Sequence, residues 1–310
     1  MFAMAARGGR AALLTKENAM PNLELEKLKS SIIAMGEMCE YITANAMTSL
    51  IDRDDSLANK TQEYDDQIDE MELNIDRQCR NLLLSGKLDS ANTNFVLSTH
   101  KINHDLERIG DNAVHISSHV HYLVREKSIL TDIIDFLPMF EQVGEMIGEG
   151  VNALLESDTR LAWKIIDEQL IVHDNMRAIF SELIEIMKRN PAAIERSCHI
   201  LFIAQALQRI ADLAVNIGEE VIFTAEGKIV RHHLGEYRPP ATPLSLYDIA
   251  EAEKQIIAAA PEIYDELMHA APAEKVPIIP NEAAKKAAGA RWKLIKERAA
   301  KIKKELEASK

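Results

Sequence analysis

The sequence predicts an all-α protein: two tandem antiparallel three-helix bundles followed by a C-terminal helical extension. Three observations carry that reading. Apolar residues recur at steps of three and four over long stretches, the spacing that lines one face of a helix. Aromatic residues make up 5% of a chain that is 47% hydrophobic, with 12 glycines, a balance that suits packed helices better than sheets. The helical pattern also returns after about a hundred residues, the mark of an internal repeat.

Residues 1–21 read as a flexible lead, with Met1 or Met20 as the start. The stretch MFAMAARGGRAALLTKENAM holds two Arg but no apolar core long enough for a secretory signal. The first repeat, 22–125, opens with a helix from Asn22 to Ile51, along which Leu28, Ile32, Met35, Cys39, Ile42 and Ala46 form the seam. Asp54 caps the next helix, whose seam of Ile68, Met71, Ile75, Cys79 and Leu82 runs to Gly86, placed to end it in a left-handed conformation. Ile102, Leu106, Ile109, Ala113, Ile116 and Val120 carry the third helix. Three long helices with short turns make a bundle.

The second repeat, 126–238, uses the same grammar and joins the first near Glu126 to Asp135. Asp54-x-x-Leu57-Ala58 returns as Asp158-x-x-Leu161-Ala162, an offset of 104. LERIGDNAVHISSHV returns as LQRIADLAVNIGEEV, an offset of 101, with a seam of Ile203, Leu207, Ile210, Ala214, Ile217 and Val221. Asn190-Pro191 marks the last turn, because proline opens a helix but does not continue one. From 239 to 310 the pattern changes: RPPATP reads as a linker, and further prolines break the chain until an Ala-, Lys- and Glu-rich helix begins at Asn281.

Charge and cysteines narrow the function classes. A net charge of −13 argues against the body wrapping nucleic acid. The tail from Lys285 to Lys310 holds ten Lys or Arg against three Glu, and taking its +7 from the total leaves −20 on the remainder. The tail's simplest reading is a solvated helix; its charge also suits anionic lipid, RNA or the acidic body of its own protein. Cys39, Cys79 and Cys198 are odd in number, far apart and set within helical patterns, as reduced thiols of a cytoplasmic protein would be. No apolar run approaches the roughly 18 residues that would suggest a membrane span.

The third helix of the first repeat carries the chemistry. His100, His104, Glu107 and Asp111 follow steps of four, three and four and fall within an arc of about 60° opposite the apolar seam. On the second helix Asp65, Asp69, Glu72 and Asp76 use the same steps, so the two rows can face one groove. Crowded carboxylates repel until some protonate or a cation neutralises them. Carboxylates alone suit Mg²⁺, Ca²⁺ or Mn²⁺, and added imidazoles shift the preference toward Fe, Mn or Zn. The candidate ligands are Asp65, Asp69, Glu107 and Asp111, with His104 beside them, and Asp212 in the second repeat. The bland alternative is a solvated acidic face on which Arg108 pairs with Glu107 or Asp111. In the second repeat the row fails: Glu107, His104 and His100 become Gln208, Gln205 and Leu201, and Asp212 alone keeps its charge. A stronger metal site is expected in the first bundle than around Asp212.

LERIGDNAVHI and LQRIADLAVNIGEEVIF, with the paired D-x-x-L-A turns and the closing EGKIVRHH, resemble the PhoU family of phosphate-uptake regulators over roughly Asn22 to His233. The resemblance implies two three-helix, spectrin-repeat-like bundles with an E/D-x-x-x-D motif on the third helix of each, where some members bind iron, zinc or related metals. Glu107-x-x-x-Asp111 fits that motif and Gln208-x-x-x-Asp212 departs from it. It further implies a cytoplasmic, non-catalytic adaptor, commonly a homodimer at the inner face of the membrane. Such an adaptor links a phosphate ABC transporter and its ATPase to a sensor histidine kinase and acts as a negative regulator of the phosphate-starvation response. The expected cofactor is a divalent or trivalent ion: Fe, Zn, Mn or Mg.

Two rival readings come from other classes. A di-metal carboxylate oxidase needs Glu-x-x-His on inward-facing core helices, and that spacing occurs at Glu266 to His269, in the extension. A ligand-free helical scaffold needs no acidic row at all.

Overall fold

The structure, a computed structural model, describes residues 5–125 and 134–231, with side chains over 22–124 and 134–231. Among the described residues six α-helices follow one another without a strand: α1 (Ala5–Asp52), α2 (Asp55–Leu84), α3 (Ser90–Arg125), α4 (Leu137–Glu156), α5 (Thr159–Arg189) and α6 (Ile194–Glu226). A short 3₁₀ turn, Pro191–Ala193, precedes α6, where Asn190-Pro191 forbids a continuous helix. The extension from 239 onward, including Glu266 and His269, lies outside the described residues, as does most of the expected junction near Glu126 to Asp135.

One boundary differs from the sequence reading. α1 begins at Ala5, so the stretch expected as a flexible lead continues the helix instead. Its Ala, Leu, Lys and Glu content favours helix over coil despite two glycines and Pro21.

The predicted seams form the core. All six seam residues on each of α1, α3 and α6 are fully buried or nearly so, and on α2 Met71 alone is left half-buried. The α1–α2 and α4–α5 turns are the same turn made twice. Arg53 and Ser157 take left-handed φ of 55° and 52°. The next residue closes a six-residue ring in each case: Asp54 N–H donates to Ser49 O at 2.9 Å, and Asp158 N–H to Ala153 O at 3.0 Å. The two Asp carboxylates then cap the following helix, Asp54 accepting from Leu57 N and Asp158 from Arg160 N and Leu161 N. The D-x-x-L-A repeat is therefore a stop signal and a start signal fused. Gly86 ends α2 at φ 62°, as its position predicts.

α3 and α6 make the most extensive helix contact and join the bundles. They run antiparallel. Ser98 Oγ donates to Glu220 O, Lys101 Nζ donates to both Glu220 carboxylate oxygens at 3.0 Å, Asn216 Nδ2 donates to Asp105 Oδ1, and His119 meets His199 at the far end. The segment Pro191–Glu226 reaches a mean hydropathy of 1.4 over 18 residues despite its polar interruptions, which makes it long and apolar enough to cross a membrane. Here its apolar residues are spent on the core: Ile203, Leu207, Ile210, Ala214, Ile217 and Val221 have no exposure.

Candidate functional site

The two acidic rows predicted for α2 and α3 meet. Because the helices are antiparallel, equal steps up one and down the other generate successive rungs. At the first, His100 Nδ1 and Asp76 Oδ1 are 2.9 Å apart; at the second, His104 Nδ1 and Glu72 Oε1 are 3.2 Å apart. Between them the fully buried Asn103 donates from Nδ2 to Glu72 O and to Asp76 Oδ1, both at 3.1 Å, and fixes the register. Continuing the same steps brings Glu107 beside Asp69 and Asp111 beside Asp65. These two rungs are carboxylate against carboxylate.

That change of rung sets the electrostatics. Asp65 is buried, and desolvation followed by the charges of Asp111, Asp69 and Glu107 pushes its carboxyl up to about 7. Glu107 is likewise raised, first by desolvation and then by Asp111 and Glu72, with His104, at 4.0 Å, partly opposing. Among the described residues no Lys or Arg closes on Asp65, Asp69, Glu107 or Asp111. The sequence alternative of Arg108 pairing with Glu107 or Asp111 is corrected by its position: Arg108 Nη1 lies 3.6 Å from Asp105 Oδ1, on the side that turns toward α6.

Gly110 makes the inner rung dense. A Cβ built there would stand 2.8 Å from Asp65 Oδ1 and 2.9 Å from Ile68 Cδ1, so Asp65 lies directly against the α3 backbone. Sequence reasoning gave Gly110 no role. The signal was a glycine inside a strong helix pattern, a choice that costs about 1 kcal/mol relative to Ala and therefore has a local reason. Beneath the groove Cys39 donates its thiol to Leu106 O at 3.2 Å. Burial, reinforced by Asp65, Glu40 and Glu107, pushes this thiol up, which keeps it protonated and out of any ligand set.

The donor set fits a hard or borderline cation: carboxylate oxygens with His104 at the rim. Among the described residues no three His, Cys, Asp or Glu side chains already form a closed ligand cluster. A cation here would draw the carboxylates inward, and the repulsion it relieves is the driving force.

Asp212 is in a different situation. It lies at the corresponding place in the second bundle, where Gln169 Nε2 donates to its Oδ1 at 2.8 Å and His173 Nε2 lies 3.2 Å from the same oxygen. Burial would raise Asp212, but hydrogen bonds from His173 and Gln169, with Arg209 nearby, outweigh it and hold the carboxylate below its ordinary value. Gln169 and His173 occupy the positions of Asp65 and Asp69. The second bundle has exchanged charge repulsion for donor–acceptor pairs.

A two-repeat, all-α protein with an acidic groove on the first repeat is thus defined. The chain matches the PhoU domain over residues 32–120 and again over 136–221. It is 34% identical over 211 residues to the phosphate-specific transport system accessory protein PhoU homolog of Pseudomonas aeruginosa, covering 68% of this chain and 87% of that one. The homolog from Aquifex aeolicus is 31% identical, with 69% and 96% covered. The crystal structure of PhoU from Pseudomonas aeruginosa superposes with a TM-score of 0.64 at 33% identity, covering 67% of this chain and 99% of that chain. The chain belongs to the PhoU family.

Proposed function

We propose that this chain regulates phosphate-specific transport by binding partners, with the α2–α3 groove as its cation-holding element. The relatives are named as accessory proteins of the phosphate-specific transport system, which supports a regulatory and non-catalytic role. In this reading the protein is a cytoplasmic homodimer that connects the phosphate ABC transporter ATPase to a sensor histidine kinase and lowers phosphate-starvation output when phosphate is plentiful.

The observation that carries the cation reading is the pair of carboxylate rungs, Asp69 with Glu107 and Asp65 with Asp111, without a protein cation among the described residues. Glu107 and Asp111, one helical turn apart, supply oxygens from α3, and Asp65 and Asp69 supply them from α2. His104 stands at the rim to add a nitrogen. A bound Mn, Fe, Zn or Mg ion would neutralise the groove and hold α2 and α3 at fixed spacing, giving a partner a rigid acidic surface. Asp212, already satisfied by Gln169 and His173, is left out of the ligand set.

The di-metal oxidase reading has less support: such chemistry needs ligands projecting into the bundle interior, whereas here the buried seam of α3 is apolar and Glu107 and Asp111 stand outside it. The test is elemental analysis of purified protein beside a Glu107→Gln, Asp111→Asn variant. Stoichiometric metal in the first and at least a tenfold loss in the second is expected; equal content removes these residues from the site. Separately, deleting the gene should raise phosphate-starvation transcripts in phosphate-rich medium, and unchanged transcripts would refute the regulatory role.

A further inference from the structure

At the end of the α3–α6 contact remote from Lys101 and Glu220, His119 and His199 face each other with their Nδ1 atoms 2.9 Å apart. Two neutral imidazoles meet at that distance when one offers N–H and the other a lone pair. His115, one turn before His119, stands edge-on to it with ring centroids 5.0 Å apart. Packing holds the rings in place from both helices: Tyr122 stacks on His199 at 3.9 Å and Phe202 on His119 at 5.0 Å. His119 Nε2 is buried without a hydrogen-bond partner among the described residues.

The repeat shows that the fold does not require imidazoles here. At the offset of 101, His119 corresponds to Glu220, His199 to Ser98 and Phe202 to Lys101. The equivalent end of the contact is closed by a complete ion pair and a hydroxyl-to-carbonyl hydrogen bond. The His119 end offers nitrogen donors instead.

We propose that His119 and His199, with His115 recruited as a third ligand, bind a borderline divalent transition metal such as Zn²⁺, Ni²⁺ or Cu²⁺ and so staple the two bundles together. Neutral imidazole is the ligand these ions prefer. With metal–nitrogen bonds of about 2.0–2.1 Å in a tetrahedral sphere, ligand nitrogens lie roughly 3.3 Å apart, so the Nδ1 pair has to open by a few tenths of an ångström. His115-x-x-x-His119 has the one-turn spacing that places two imidazoles on one helix face for one ion. His115 is exposed and must rotate inward, in keeping with the absence of a closed three-ligand cluster among the described residues. Burial, with His115 and His199 adding, pushes His119 down to about 4, and burial lowers His199 against the pull of Glu195, so both rings keep lone pairs at neutral pH. The site offers imidazole nitrogens, whereas the α2–α3 groove offers chiefly carboxylate oxygens.

The experiment titrates chelator-treated full-length protein with Cu²⁺ and records electron paramagnetic resonance spectra, in which imidazole nitrogens leave superhyperfine splitting and carboxylates do not. The wild-type chain and the Glu107→Gln, Asp111→Asn variant should both show one equivalent with splitting from at least two nitrogens. The His119→Gln, His199→Gln variant should lose that signal and bind at least tenfold more weakly. Unchanged spectra in the histidine variant, or loss of the signal in the carboxylate variant, would overturn the assignment. If the histidine variant loses helicity, His115→Gln carries the test at an exposed position: at least threefold weaker Cu²⁺ binding supports the site and unchanged binding overturns it.

Discussion

Replacing Asp65 by asparagine tests the electrostatics of the groove most directly. In metal-free protein the Asp65 carboxyl is raised from 3.8 to about 7 by burial and by Asp111, Asp69 and Glu107, whereas an unfolded Asp titrates near 3.9. Between those values the folded protein holds a proton that the unfolded chain has lost. Stability must therefore fall as pH rises through this window, and level off above about 7. At about 1.36 kcal/mol per pKa unit the full span amounts to ~4 kcal/mol. About two thirds of it falls between pH 5 and pH 8, and water at the open groove mouth roughly halves it, leaving ~1–2 kcal/mol. The amide that replaces the carboxyl carries no charge and is free of this penalty. Urea unfolding followed by circular dichroism, with chelator present, should show the Asp65→Asn variant gaining ~1–2 kcal/mol on wild type between pH 5 and pH 8. It should be the more stable of the two at the higher pH. Mn²⁺ should stabilise wild type at pH 8 and the variant much less, because the ion binds the folded state through the carboxylate that the variant lacks. A difference between the two proteins that does not change with pH would show that Asp65 is not forced against its charged neighbours, and the crowded-groove account would fail.

Three further outcomes follow from the packing. Lys101→Met with Arg231→Met strands the buried Glu220 carboxylate and should cost ~3 kcal/mol, whereas Glu220→Gln leaves two half-exposed cations that rehydrate and should cost ~1 kcal/mol. Urea midpoints in the reverse order would show that water already solvates Glu220. Gly218→Ala places a Cβ 3.0 Å from the Ala162 backbone oxygen, which cannot rotate away. The ~1 kcal/mol gain in helix propensity should be outweighed by ~1–3 kcal/mol of overpacking, and a higher thermal midpoint would refute that. Asp158→Ala removes a cap that accepts from Arg160 N and Leu161 N and should lower the urea midpoint at neutral pH. The loss should shrink in acid, because Asp158 is held below its ordinary value by those N–H groups and its capping advantage fades as it protonates; a loss of the same size in acid would separate the cap from its charge.

Much of the fold was legible because the code for it is local. Helix periodicity depends on residues three and four apart, and Asp54 and Asp158 cap the helices they begin, so seams, turns and the repeat could be read along the chain. The acidic rows and their collapse in the second repeat were legible for the same reason. Two neighbouring features were not. Arg108 turned toward Asp105 and α6, because a helix wheel says which residues share a face and nothing about which neighbour that face meets. The histidine pair joins residues 80 positions apart on two different repeats, and no local spacing announces it.

The sequence by itself determined the six helices, their buried faces, the duplicated turns and the presence of an oxygen-rich strip on α3. Tertiary structure alone decided the antiparallel register of α2 and α3. That register pairs histidine with carboxylate at one end of the groove and carboxylate with carboxylate at the other, and it lets Asp65 press against Gly110. The physical reason is that a helix's own hydrogen bonds fix its period but not its rotation or offset relative to a partner. Those follow from close packing of side chains contributed by distant parts of the chain.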